Sequence, residues 1–124
     1  MTIDGAISLI DESKPNTYGQ AEKIRWLSNL DWTIKREIID THVGGEEVTF
    51  NGYTDESPLE TVLLVPAPYD EIYIRWLEAQ IDYANGEFNK YNASMSMYNT
   101  WMTSFANYYN RKHMPLQKNG LKYF

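Results

Sequence analysis

The chain has 124 residues, a net charge of −6 and no cysteine. That length suits one domain, and the missing thiols exclude disulfide scaffolds, thiolate metal sites and cysteine nucleophiles. The acid excess, with basic residues scattered except for Arg111, Lys112, Lys118 and Lys122, argues against a tight grip on nucleic acid.

Residues 2–12 read as a short helix. Ile3, Ile7 and Ile10 share a face, and Asp4 suits the positive end of the helix dipole. Lys14-Pro15-Asn16 breaks it. A second helix is expected over 18–42. Thr17 to Gln20 matches a capping box, and Ile24, Leu27, Leu30 or Asp31, Ile34 and Ile38 form its stripe. Gly44-Gly45 follows and should stop it near His42. Trp26 and Trp32 lie off the stripe and are assigned to the core.

Residues 43–68 lack a helical period. Glu46–Phe50 and Thr61–Val65 have strand-like content, and Asn51-Gly52 is a turn signal, so a loose hairpin or extended arm is expected. Pro66 and Pro68 then lead into a long helix over 69–112, with Asp70 and Glu71 in its first turn.

Along that helix Ile74, Leu77, Ile81, Ala84, Phe88, Tyr91, Met95, Tyr98, Met102, Phe105 and Tyr109 recur at alternating spacings of three and four. That is the period of one helix face packed on a neighbour. Asn85-Gly86 is a breaker where a helical hairpin could turn. The apolar phase nevertheless passes from Ala84 to Phe88 without a slip, so the expectation is a continuous helix through Gly86. At about 1.5 Å per residue the stretch from Ile74 to Tyr109 alone would run roughly 50 Å, too long for a small globule, which points to partners. The packing stripe is taken as Phe88, Tyr91, Met95, Tyr98, Met102, Phe105 and Tyr109, and the opposite face is rich in asparagine.

His113-Met114-Pro115 ends the helix, leaving a tail over 113–124. Leu121, Lys122, Tyr123 and Phe124 close it, and two aromatic rings beyond the last helix suggest docking on a neighbouring subunit.

No chemistry-bearing constellation stands out. His42 and His113 fall in no metal-ligand spacing, and no phosphate-binding glycine loop or nucleophile elbow is present. Adjacent acids such as Glu46-Glu47 and Asp70-Glu71 point to different sides. No catalytic, cofactor-binding or metal residues are assigned. Met1 opens a polar, acidic segment, so no secretory signal is expected, and no run is long enough for a membrane span. The fold class is therefore mostly α: a small helical domain with one long C-terminal helix, an extended arm or loose hairpin, and a C-terminal tail.

Several stretches carry a resemblance. They are Val65-Pro-Ala-Pro-Tyr-Asp-Glu71, Tyr73, Trp76-Leu-Glu-Ala-Gln-Ile-Asp82, Asn85-Gly-Glu87, Lys90-Tyr-Asn92, Tyr98-Asn99, Tyr108-Tyr-Asn-Arg111 and His113-Met-Pro115. With Lys23-Ile-Arg-Trp-Leu-Ser28, Leu30-Asp31 and Glu37-Ile38 to His42, the chain resembles phage and prophage head-tail connector proteins of Gram-positive bacteria, also called adaptor or head-completion proteins. The resemblance covers most of the chain outside 43–64. It implies a structural virion protein of the neck, made in the bacterial host cytoplasm. Such a protein would form a homo-oligomeric, dodecameric ring below the portal protein. The ring would extend the DNA channel, let DNA pass without specific binding, and give a platform to the downstream neck or tail-completion protein. The competing reading is a small prophage-encoded helical interaction or regulatory protein that dimerises as a coiled coil through the stripe alone.

Overall fold

The computed structural model describes residues 1–116 and contains four α-helices. Helix α1 spans Ile3–Ser13, α2 Gln20–Glu37, α3 Glu71–Ala84 and α4 Phe88–Lys112, with 3₁₀ turns at Ile39–Thr41 and Gly45–Glu47. The mostly α class and the long C-terminal helix are as the sequence predicts.

Each helix forms for a readable reason. Thr2 caps α1, its hydroxyl accepting from the Gly5 N–H at 2.9 Å, and Ile3, Ala6, Ile7 and Ile10 form the buried face. In α2 the whole expected stripe is buried, including both Leu30 and Asp31. Trp26 is buried as expected, while Trp32 is half-buried, edge-on to Phe50.

Helix α3 is the hub and packs against α1, α2 and α4. That explains why it is buried on more than one side, through Ile72, Tyr73, Leu77, Ala79 and Ile81.

The continuous helix expected through Gly86 does not form. Helix α3 ends at Ala84, α4 begins at Phe88, and the two pack as an antiparallel hairpin. Tyr69 meets Tyr108, Trp76 meets Tyr98, and Asp82 meets Ser94. The stop is a Schellman motif. Gly86 takes φ 75°, its N–H donates to the Tyr83 carbonyl at 3.0 Å, and the Glu87 N–H donates to the Asp82 carbonyl at 2.9 Å. The unbroken apolar phase has another cause. Both arms of a hairpin aim their stripes at the same core, and the three-residue connection 85–87 is close to one helical turn, so the spacing carries over. Most of the stripe is thus consumed inside the chain, and the inference of partners from helix length falls away.

Two further expectations change. Helix α2 starts at Gln20 rather than 18, with Gly19 at its N-cap and no side-chain cap, so the Thr17 capping box is not made. Asn16 organises the entry instead, donating to the Lys14 carbonyl and accepting from the Tyr18 N–H. Helix α2 also ends at Glu37 rather than 42, and a 3₁₀ turn carries the chain on to Thr41.

Residues 43–68 form no strand among the described residues. The segment runs extended across the core, burying Tyr53, Leu63 and Val65. Its far end straps the N-terminus, where Ile3 N–H donates to the Thr61 carbonyl and Leu63 N–H to the Met1 carbonyl. At the other end of the molecule, Val43 N–H donates to the Met114 carbonyl and Leu116 N–H to the Thr41 carbonyl.

Candidate functional site

Three buried polar clusters tie the elements together. The largest centres on Asp31 of α2, which is fully buried. Its carboxylate accepts from Tyr53 Oη at 2.5 Å, Tyr73 Oη at 2.7 Å and the Leu64 N–H at 3.1 Å. Tyr73 Oη in turn accepts from the Val65 N–H at 2.8 Å. Burial pushes the Asp31 carboxyl pKa up, against the three donors that pull it down. Burial and the Asp31 charge push both tyrosines up, which keeps their hydroxyls available as donors. A carboxylate with no solvent access and every partner internal has no path to a substrate. It pins the 43–68 segment to α2 and α3.

The second cluster centres on Asp82 of α3, also fully buried. Lys14 Nζ lies 2.8 Å from Oδ1, and Ser94 Oγ donates to Oδ2 at 2.8 Å, joining the end of α1 to both arms of the hairpin. In the third, His42 sits edge-on to Tyr109. The Ile38 carbonyl can only accept, so it takes the proton of His42 Nδ1 at 2.5 Å, and Nε2 meets the Asn110 side chain at 2.6 Å. His42 therefore acts as a buried strut to α4. Among the described residues no group of three or more His, Asp or Glu side chains is placed to hold a metal ion. No described helix is long and apolar enough to cross a membrane.

The expected packing stripe divides in three. Tyr98, Phe105 and Tyr109 are buried, Tyr91, Met95 and Met102 half-buried, and Phe88 exposed. Burial, with Glu37 nearby, pushes the Tyr98 hydroxyl up to about 12. The tail group Leu121, Lys122, Tyr123 and Phe124 lies outside the described residues.

What remains accessible is surface, and three parts of it stand out. The first is the outer face of α4. No Asp, Glu, Lys or Arg occurs between Lys90 and Arg111, and Asn92, Ser96, Asn99, Thr100, Thr103 and Asn107 are exposed there. Asn92, Ser96, Asn99 and Thr103 line a shallow groove along the helix. The asparagine-rich face was legible from spacing; its freedom from charge is its more informative property. The second is the tip of the hairpin, where Tyr83 is 60% and Phe88 57% exposed, with ring centroids 5.6 Å apart. Tyr83 lies off the stripe and no spacing singles it out. The third, at the opposite end, is an apolar cavity of about 240 Å³. It lies between the end of α4, the 3₁₀ turn at Ile39 and the 43–68 segment, so only the tertiary arrangement creates it.

These features define a small helical protein whose polar clusters serve its own cohesion and whose distinctive chemistry lies on its outside. Comparison with protein-family models, with curated proteins and with solved structures finds no match to this chain.

Proposed function

We propose that this chain is a structural virion protein, a head-to-tail adaptor that forms a dodecameric ring below the portal and extends the DNA channel. The observation that carries the proposal is the charge-free outer face of α4 in a chain of net charge −6. Non-specific DNA binding draws its affinity from Lys and Arg displacing counterions at phosphates. A helix face of amides and hydroxyls offers water-mediated contact without that grip, which suits a channel wall past which DNA must slide. The resemblance of Val65–Glu71, Trp76–Asp82 and Tyr108–Pro115 to connector proteins supports the same reading.

The coiled-coil dimer is less favoured, because the seam it needs is largely occupied. Tyr98, Phe105 and Tyr109 are buried within the chain itself. In the adaptor reading, Leu121, Lys122, Tyr123 and Phe124 dock on the portal, and the opposite side of the ring receives the next neck or tail-completion protein. The test is deletion of the gene from its phage. Filled or leaking heads and separate tails are expected, and a normal yield of infectious particles would overturn the assignment.

A further inference from the structure

We infer that Phe124 of the C-terminal tail packs its ring into the apolar cavity at the end of α4 of its own chain. The contact stands on the fold and the sequence alone. Under the adaptor reading it means that the tail is stowed on its own subunit until the portal draws it out.

The cavity has room for one apolar group. Ile39, Val48, Leu64, Pro66, Tyr108 and His113 contribute to its wall, and its volume is about 240 Å³. An apolar cavity of roughly 150 Å³ is enough to hold benzene, so one aromatic ring fits and a second does not. Pro66 and His113 at the rim are exposed, so a ring can enter from outside. A phenyl ring brings no hydroxyl that an apolar wall would have to satisfy, which favours Phe124 over Tyr123.

The tail starts beside this cavity. Leu116 is the last described residue, and its N–H donates to the Thr41 carbonyl at 2.9 Å. His42 and Pro115 pair there as an antiparallel bridge. Ile39 of the wall opens the same 3₁₀ turn that Thr41 closes. Facing residues lie about 5 Å apart and successive Cα atoms about 3.8 Å, so Leu116 sits within about 13 Å of Ile39. The eight residues from Gln117 to Phe124 follow, outside the described ones. At roughly 3.3 Å per residue they can span about 26 Å, twice the distance needed. Asn119-Gly120, midway along them, is a dipeptide of tight chain reversal. A two-residue turn there would set Phe124 opposite Pro115, at the edge of the cavity.

The tether decides which occupant is favoured. A ring on a short linker faces the cavity at an effective concentration in the millimolar range, whereas a ring on another molecule must arrive from solution. Charge agrees with this seat. Lys118 and Lys122 flank the ring in sequence, and Glu46 and Glu47 are exposed in the turn that leads to Val48 of the wall. Ordering the linking residues takes back part of the gain from burial, so a stronger binder can empty the cavity.

Nuclear magnetic resonance of the full chain tests the contact with the ring in place. Cross-relaxation peaks are expected between the Phe124 ring protons and the methyl groups of Val48 and Leu64, whose resonances the ring current should move upfield. An isotope-filtered spectrum of mixed labelled and unlabelled chains separates contacts within a chain from contacts between copies, and only the first kind is expected. Phe124→Ala should move both methyl resonances back downfield, and Tyr123→Ala should leave them in place. Circular dichroism checks that each variant keeps its helices. A folded chain without these peaks overturns the contact. So do peaks that arise only between copies, and so does a downfield move caused by Tyr123→Ala and not by Phe124→Ala. Finding the protein in particle necks without the contact would reject the contact alone. The contact in a protein absent from particles would reject the neck assignment alone.

Discussion

Asp31 shows what a single residue does here. A buried carboxylate costs several kcal/mol of desolvation unless its oxygens are met, and here two tyrosine hydroxyls and one backbone N–H meet them. Asp31→Ala would leave two buried tyrosine hydroxyls and the part-buried Leu64 N–H without this acceptor, at about 1–3 kcal/mol for each buried donor. The expected loss of stability is on the order of 3 kcal/mol or more in urea unfolding, with Asp31→Asn milder because it keeps an acceptor. An alanine variant within about 0.5 kcal/mol of wild type, the scatter of ordinary surface changes, would contradict the account of this cluster. Spacing placed Asp31 beside Leu30 on the inner face of α2 but could not tell which of the two is buried. Both are, because the carboxylate's partners Tyr53 and Tyr73 arrive from elements distant in sequence. Apolar periodicity records which face is inside; it carries no record of which polar groups meet there.

At the scale of elements, α1, α2, the helical character of the stretch that holds α3 and α4, and the absence of a helical period in 43–68 were legible, because amphipathic spacing reports burial directly. The hairpin was not, although its breaker Asn85-Gly86 was visible. A stripe in phase on both sides of a turn is consistent with one helix or with two that share a core, and only the backbone at Gly86 decides. Gly86 takes a positive φ with open space around the missing Cβ, so the cost of a side chain there is conformational rather than steric. Gly86→Ala should therefore cost about 1 kcal/mol, and Gly86→Asn less, since asparagine tolerates the left-handed region. In a continuous helix alanine would instead stabilise by about that amount. The sign of the Gly86→Ala change in thermal or urea unfolding checks this, and stabilisation would contradict the Schellman turn. The 43–68 segment has strand-like composition but, among the described residues, pairs only at an isolated antiparallel bridge between Val62 and Thr2. Gly52, at φ 86°, lets it press against Ser28 and Trp32 of α2, and its apolar residues become cover for the helices.

For the whole molecule, the case for assembly moves from the interior to the surface. A single 50 Å helix would have needed a neighbour; a hairpin with a shared core does not. The surface has its own asymmetry: a charge-free polar face along α4, an aromatic tip, and an apolar cavity at the far end. None of the three was fully legible, since the tip and the cavity exist only once the chain has folded back at Gly86. Of the three, the charge-free face of α4 is the one on which the adaptor proposal rests. The central claim is that the protein is a ring in the neck of a phage particle, and electron cryomicroscopy of purified particles tests it most directly. The account predicts a ring of this chain between portal and tail, with Asn92, Ser96, Asn99 and Thr103 of each copy turned toward the DNA. A neck map in which no density accommodates the α3–α4 hairpin would contradict it.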